Sequence, residues 1–169
     1  MSGNWFTRWL ERKGRLRVIP DRDGIRDYMY RYYLIFGRSN SLNADDNRLF
    51  NLFLHNILLS DEEVYHDHPW WYIALILKGG YYEHTPNGVF WRGPGSIRFA
   101  KANSLHYVKL PQDEPWFGVP NLRRPNKDET WTLFFHGPRQ RKWGFIDPIS
   151  KSWVDWETWI KARRASALA

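Results

Sequence analysis

Residues Glu63–His84 read EVYHDHPWWYIALILKGGYYEH, and this stretch decides how the chain folds. Two histidines, His66 and His68, flank one aspartate immediately before an apolar run. In an extended chain, residues i and i+2 point to the same face, so these two imidazoles can aim at one point. Pro69 follows directly and biases His68 away from helical geometry. The run WYIALIL (71–77) has strand length and no polar interruption, so the reading is a strand buried on both faces. Gly79-Gly80 marks a turn, and YYEHT is the return strand, carrying Glu83 and His84.

Working outward, Asn87-Gly88 between YYEHTP and VFWR is a strong hairpin signal. A GPG turn (93–95) leads to strands SIRFA and LHYVKL, the second holding His106. Upstream, YMYRYYLIF (28–36) and RLFNLFLHNILL (48–59) read as strands, separated by a loop-type segment, GRSNSLNADDN. Downstream, PQDEPWFGVPNLRRPNKDE (111–129) has four prolines and no period, so it reads as a long loop. Its Arg123 and Arg124 would approach an anionic ligand if that loop covered the barrel mouth. TWTLFFHG is a late strand. Phe6, Trp9 and Leu10 fall on one face of an N-terminal helix. Trp153, Trp156, Trp159 and Ile160 do so in a C-terminal helix that packs tryptophan onto the barrel, with the last residues fraying. About eight short strands with helices only at the ends is the pattern of an all-β barrel or jelly roll.

The 169 residues suffice for one domain, with a barrel core over about 28–146 and terminal extensions 1–27 and 147–169. Thirty aromatic residues (11 Trp, 9 Tyr, 10 Phe) suit a compact β-domain with a lined cavity. The absence of cysteine excludes disulfides, thiolate metal sites and cysteine nucleophiles, so any metal must use His, Asp or Glu. There is no long apolar span and no signal-peptide h-region, so the expectation is a soluble cytoplasmic protein without membrane contact. The net charge of +7 is carried by the ends: residues 1–38 hold nine basic and four acidic groups, and residues 138–169 seven and three. With no dedicated nucleic-acid reader in the sequence, a role using these basic ends on nucleic acid ranks last. Gly-x-Ser-x-Gly and Walker-type loops are also missing from the sequence, which argues against a serine hydrolase and a P-loop nucleotide enzyme.

The order His66-Asp67-His68, Gly79, Pro94-Gly95, His106 resembles the two motifs of the cupin superfamily. HDHPW, GGYYE, LHYV and GPRQRKWGF resemble in particular a group of bacterial and phage cupin-like proteins, over about residues 48–146. The resemblance implies a double-stranded β-helix jelly roll with a divalent metal inside, held by His66, His68 and His106. Fe(II) is the first expectation, with Zn, Mn or Ni as alternatives. The spacing from Pro94-Gly95 to His106 exceeds the usual one, and Tyr72 stands where the family places its glutamate. The site is therefore either a three-histidine site or one in which Glu83 substitutes, as fourth ligand or as acid/base. The functions implied are a mononuclear metal-dependent enzyme, of dioxygenase or isomerase/epimerase type, acting on a small anionic molecule, or a non-catalytic module binding a sugar, nucleotide or small acid. Fold alone does not choose among them. Proteins of this fold commonly dimerise through strands, so a homodimer is the expectation.

Around the metal, Arg98, Tyr72, Arg139 and Arg141 are the candidate substrate contacts. Arg139 and Arg141 alternate, and a same-face pair grips a carboxylate or phosphate. Asp67 points away from the two histidines, to bond across the motif loop or to orient a ligand imidazole, and Asp61 is read in the same way. His55, His84 and His136 read as structural. Trp70, Trp71, Tyr81 and Tyr82 read as core more readily than as substrate platform, and Tyr72 does so apart from its candidate contact.

Overall fold

The computed structural model describes residues 4–37, 48–113 and 129–167. The long loop with Arg123 and Arg124, most of the 37–47 loop and the extreme C-terminus lie outside the described residues.

Strand-forming aromatic and branched residues account for eleven strands among the described residues, and every pairing between them is antiparallel. Six form one sheet in the order β1 (Leu16–Pro20), β2 (Asp27–Tyr33), β3 (Asn51–Ile57), β9 (Thr130–His136), β4 (Tyr72–Lys78), β7 (Ile97–Ala100). A three-stranded sheet has the order β6 (Gly88–Arg92), β5 (Tyr81–Thr85), β8 (Tyr107–Lys109). β10 (Gly144–Ile146) pairs with β11 (Trp153–Asp155). Helices α1 (Trp5–Arg12) and α2 (Trp156–Ala167) close the two ends of the described chain. The jelly-roll expectation holds. The sequence reading missed β1, β10 and β11. Trp153 belongs to a strand, because Trp153–Asp155 pairs with Gly144–Ile146, and α2 begins only at Trp156.

Register sorts the residues. Met29, Ile57, Ile76, Tyr81, Val108 and Leu110 pack together between the large and the three-stranded sheets. Tyr72, Ala74 and Ala100 cluster with Phe134 further along the same inner face. A separate cluster joins Val64, Phe145 and Trp159, with Trp143 stacked on Trp156 at 5.5 Å. The C-terminal helix therefore delivers its tryptophans as expected. In α1 the buried residues are Thr7 and Leu10, whereas Trp9 stays exposed; Asn4 caps the helix by accepting from Thr7 N.

One expectation is overturned. β4 is not buried on both faces: Tyr72, Ala74 and Ile76 point inward, while Ile73 and Leu77 are exposed. They share the outward side with Ile97 and Phe99 of β7. An antiparallel sheet can have one face covered and the other open, and the sequence of β4 does not record that because both of its faces are apolar.

Candidate metal centre

The motif residues 63–71 are mostly irregular, not a long strand, yet they keep extended geometry at the critical point. His66 forms an isolated antiparallel bridge with His106, each accepting the other's N–H at 3.0 Å, and a second bridge with Phe145. This pairing brings the second motif to the first. His68 N donates to Ala102 O at 3.1 Å, fixing the other end. Asp67 alternates to the opposite side, as its spacing requires. There its carboxylate accepts from Gly144 N at 2.8 Å and Trp153 Nε1 at 3.1 Å, and meets the Arg141 guanidinium at 3.2 Å. Asp67 is 1 % exposed, and burial pushes its carboxyl up against the lowering effect of these partners. Its role is the cross-loop bond. Asp61 likewise accepts a backbone bond, from Val108 N at 2.8 Å.

His66, His68 and His106 each offer a ring nitrogen, and these three atoms lie within 4.8 Å of one another. His68 Nε2 and His106 Nε2 are 2.8 Å apart. Burial drives the pKa of His66 and His68 well below the ordinary histidine value, and neighbouring imidazoles add to this. Neutral imidazoles are the ligating form. His66 Nδ1 is buried with no hydrogen-bond partner, a polar atom that a bound group would satisfy. The donor set thus fits a divalent ion, and the group can hold one.

Glu83 is 1 % exposed on β5. Its Oε1 lies 3.3 Å from His106 Nδ1 and accepts from Arg98 Nε at 2.9 Å. Its Oε2 accepts from Arg92 at 2.9 Å (Nε) and 2.7 Å (Nη2). Burial alone would raise this carboxyl, but the contacts from His106, Arg98 and Arg92 outweigh it and bring it down to about 2. Glu83 meets the histidine cluster through the nitrogen of His106 remote from His68. Arg98 is engaged with Glu83. Arg139 and Arg141 lie in the irregular segment between β9 and β10, so the expected same-face strand pair does not form. Tyr72, on β4, places its hydroxyl 3.4 Å from His106 Nε2, and burial pushes its phenol well up.

Trp70, Tyr72 and Tyr81 are buried, whereas Trp71 and Tyr82 are half-buried. His84 stacks on Tyr107 at 4.4 Å. His55 and His136 are buried on the inner face beside Phe53. Two arginines escaped the sequence reading. Arg92 follows an ordinary hairpin, and only the pairing of Tyr81 with Arg92 places it beside Glu83. Arg31 alternates with Met29 and Tyr33 in β2, and only the sheet register shows that it faces inward.

No family model matches the chain, and no curated protein matches it. Among solved structures, a cupin-2 domain from Rhodospirillum rubrum superposes with a TM-score of 0.53 at 13 % identity, over 79 % of this chain and 76 % of that one. The fold is that of the cupins. An RmlC-like cupin protein from Ralstonia eutropha aligns over 90 % of this chain and 82 % of its own, with a TM-score of 0.48 and 11 % identity. Fe(II)-bound HppE aligns over 72 % and 55 %, with a TM-score of 0.46 and 10 % identity. Among the described residues, no helix of this cupin fold is long and apolar enough to cross a membrane.

Proposed function

We propose that the chain is a mononuclear metal-dependent cupin enzyme acting on a small anionic organic molecule. The observation that carries the reading is the convergence of three imidazole nitrogens within 4.8 Å at the inner end of the histidine motif. His66, His68 and His106 would hold the ion, Fe(II) first and Zn, Mn or Ni as alternatives. Such an ion supplies Lewis-acid polarisation or O₂ activation at an open coordination position. Of the two arrangements considered for Glu83, the geometry favours the three-histidine one. Both carboxylate oxygens already serve Arg92 and Arg98, and the carboxylate orients His106 from behind. Tyr72 is the substrate contact with direct reach to the site, its hydroxyl positioned to donate to a bound ligand atom. Arg98 acts through Glu83.

A second reading rests on the aromatic inner face, where Tyr72 stacks on Phe134 at 4.7 Å and Trp70 meets His136 edge-on at 4.7 Å. Such a lining suits a binding module that holds its ligand unchanged. A homodimer belongs to the same proposal, and the exposed outer row Ile73, Leu77, Ile97 and Phe99 supports it.

Metal analysis of chelator-stripped protein reconstituted with Fe(II), Mn, Ni or Zn tests the first reading. One equivalent is expected in the wild type and none in His66→Ala/His68→Ala. A wild type that takes up no metal overturns it. With the metal loaded, consumption of a small carboxylic acid favours the enzyme, and its recovery unchanged after binding favours the module.

A further inference from the structure

Outside the histidine triad the chain forms a cleft that the proposed metal centre does not use. Its volume is about 570 Å³, within the range of small-molecule sites, and Trp71, Phe99, Lys101, Asn103, Gln140 and Arg141 line it. Trp71 immediately precedes the inward-facing Tyr72, and Phe99 of β7 pairs with the outward Ile73, so both rings lie on the outer side of the sheet. The two rings stand 6.1 Å apart. Gly137 seats the indole, because a Cβ there would fall 2.2 Å from it. The walls hang on the histidine motif: His68 N donates to Ala102 O at 3.1 Å, and Gln140 N donates to Pro69 O at 2.7 Å. The motif thus holds the triad on one side and both walls of the cleft on the other.

The lining selects the ligand. The wall segments 97–110 and 137–146 contain no aspartate or glutamate. Arg141 is partly engaged: its Nη2 meets the buried Asp67 at 3.2 Å and its Nε donates to Lys142 O at 3.1 Å, which leaves Nη1 for another acceptor. The Lys101 side chain is exposed and makes no hydrogen bond or ion pair among the described residues, so its charge is uncompensated. The exposed amides of Asn103 and Gln140 are equally unengaged there. Phe99 keeps 54 % of its surface exposed, and Trp71 is half-buried. The cleft therefore joins an aromatic floor to two amides and a cationic rim.

We infer that this cleft is a nucleotide-binding site, in which the base lies on Trp71 and Phe99 and the phosphate accepts from Lys101 and from Arg141 Nη1. A planar base gains from an aromatic floor, and a phosphate matches an uncompensated lysine beside an arginine with a spare donor edge. Amides donate and accept, so Asn103 and Gln140 suit the edge of a base or a ribose. The site stands apart from the triad, and the inference goes beyond the proposed metal chemistry. A free nucleotide and the phosphorylated end of a single strand share this chemistry, and the test separates them.

The test is a ligand-detected NMR titration of chelator-treated full-length protein with AMP, adenosine and inorganic phosphate. The wild type is expected to bind AMP roughly tenfold more tightly than either fragment. Lys101→Met, which keeps the stem, is expected to lose roughly tenfold of the AMP affinity while adenosine affinity and metal uptake stay unchanged. Trp71→Leu is expected to lose roughly tenfold for AMP and adenosine alike; Phe99→Ala, at an exposed position, serves as the test if Trp71→Leu does not fold. A 5′-phosphorylated single-stranded dA oligomer that binds more tightly than AMP assigns the strand end as the ligand, and equal or weaker binding assigns the free nucleotide. No binding of AMP, equal affinity for AMP and adenosine, AMP affinity unchanged in Lys101→Met, or binding of galacturonate with rejection of AMP would overturn the inference. Metal uptake is measured separately, so a triad that binds no metal leaves this result standing, and the reverse also holds.

Discussion

Glu83 Oε1 lies 3.3 Å from His106 Nδ1, and two arginines hold that carboxylate in place. A carboxylate behind a ligating imidazole sets its tautomer and ring orientation. Glu83→Gln is therefore expected to lower affinity for Zn or Co by roughly 10–100-fold while keeping one equivalent bound. Competition against a fluorescent chelator measures this. Complete loss of the metal would instead place Glu83 among the ligands.

Asp67 is buried on the side of the motif away from the triad and satisfies Gly144 N–H and Trp153 Nε1–H. Asp67→Ala leaves both donors without their acceptor, at a cost of about 2–4 kcal/mol in a urea melt. Asp67→Asn keeps one acceptor oxygen and is expected to recover part of that loss. A melt unchanged by Asp67→Ala would show that the carboxylate does not tie the motif to β10 and β11.

Gly80 has φ +147°, and a Cβ there would lie 2.5 Å from the Trp91 ring and 2.7 Å from Arg92 O. The backbone oxygen cannot swing aside. Gly80→Ala is expected to destabilise by about 1–3 kcal/mol, read as a lower denaturation midpoint. It also shifts the start of β5, the strand that carries Glu83.

Tyr32 and Tyr81 are buried, and burial is the main cause that raises both phenols well above their ordinary value. Tyr32 also donates to Glu11 Oε1 at 3.1 Å. A raised folded pKa stabilises fully below the unfolded value of about 10 and is lost as pH rises above it. The unfolding free energy is expected to fall above about pH 10, with these phenols ionising only as the chain unfolds. Spectrophotometric titration at successive urea concentrations follows both events. Ionisation of all nine tyrosines near the ordinary value in the folded protein would contradict it.

Much of the candidate site was legible because its signals are local. His66-Asp67-His68-Pro69 carries its own geometry: alternation sends the aspartate one way and the histidines the other, and the proline restricts the backbone. Turn signals at Gly79-Gly80 and Asn87-Gly88 placed Glu83 on the return strand β5, where it lies. Other features depend on pairing. Arg139 and Arg141 alternate in the sequence, but no strand forms there, and Arg141 turns to Asp67. β1 is only five residues long within a basic segment, and it pairs along the edge of β2.

The sequence by itself determined an all-β chain with terminal helices, the histidine pair and the direction of Asp67, since period-two alternation and turn chemistry act within a few residues. The motif resemblance already implies His106 beside the pair, but only the tertiary structure decided that Arg92 and Arg98 engage Glu83, that Arg31 faces inward, and that β4 leaves one apolar face uncovered. These depend on strand register and on which sheets face each other, from the β5–β6 hairpin to strands distant in sequence. A shift of one residue in that register would turn every side chain to the other face.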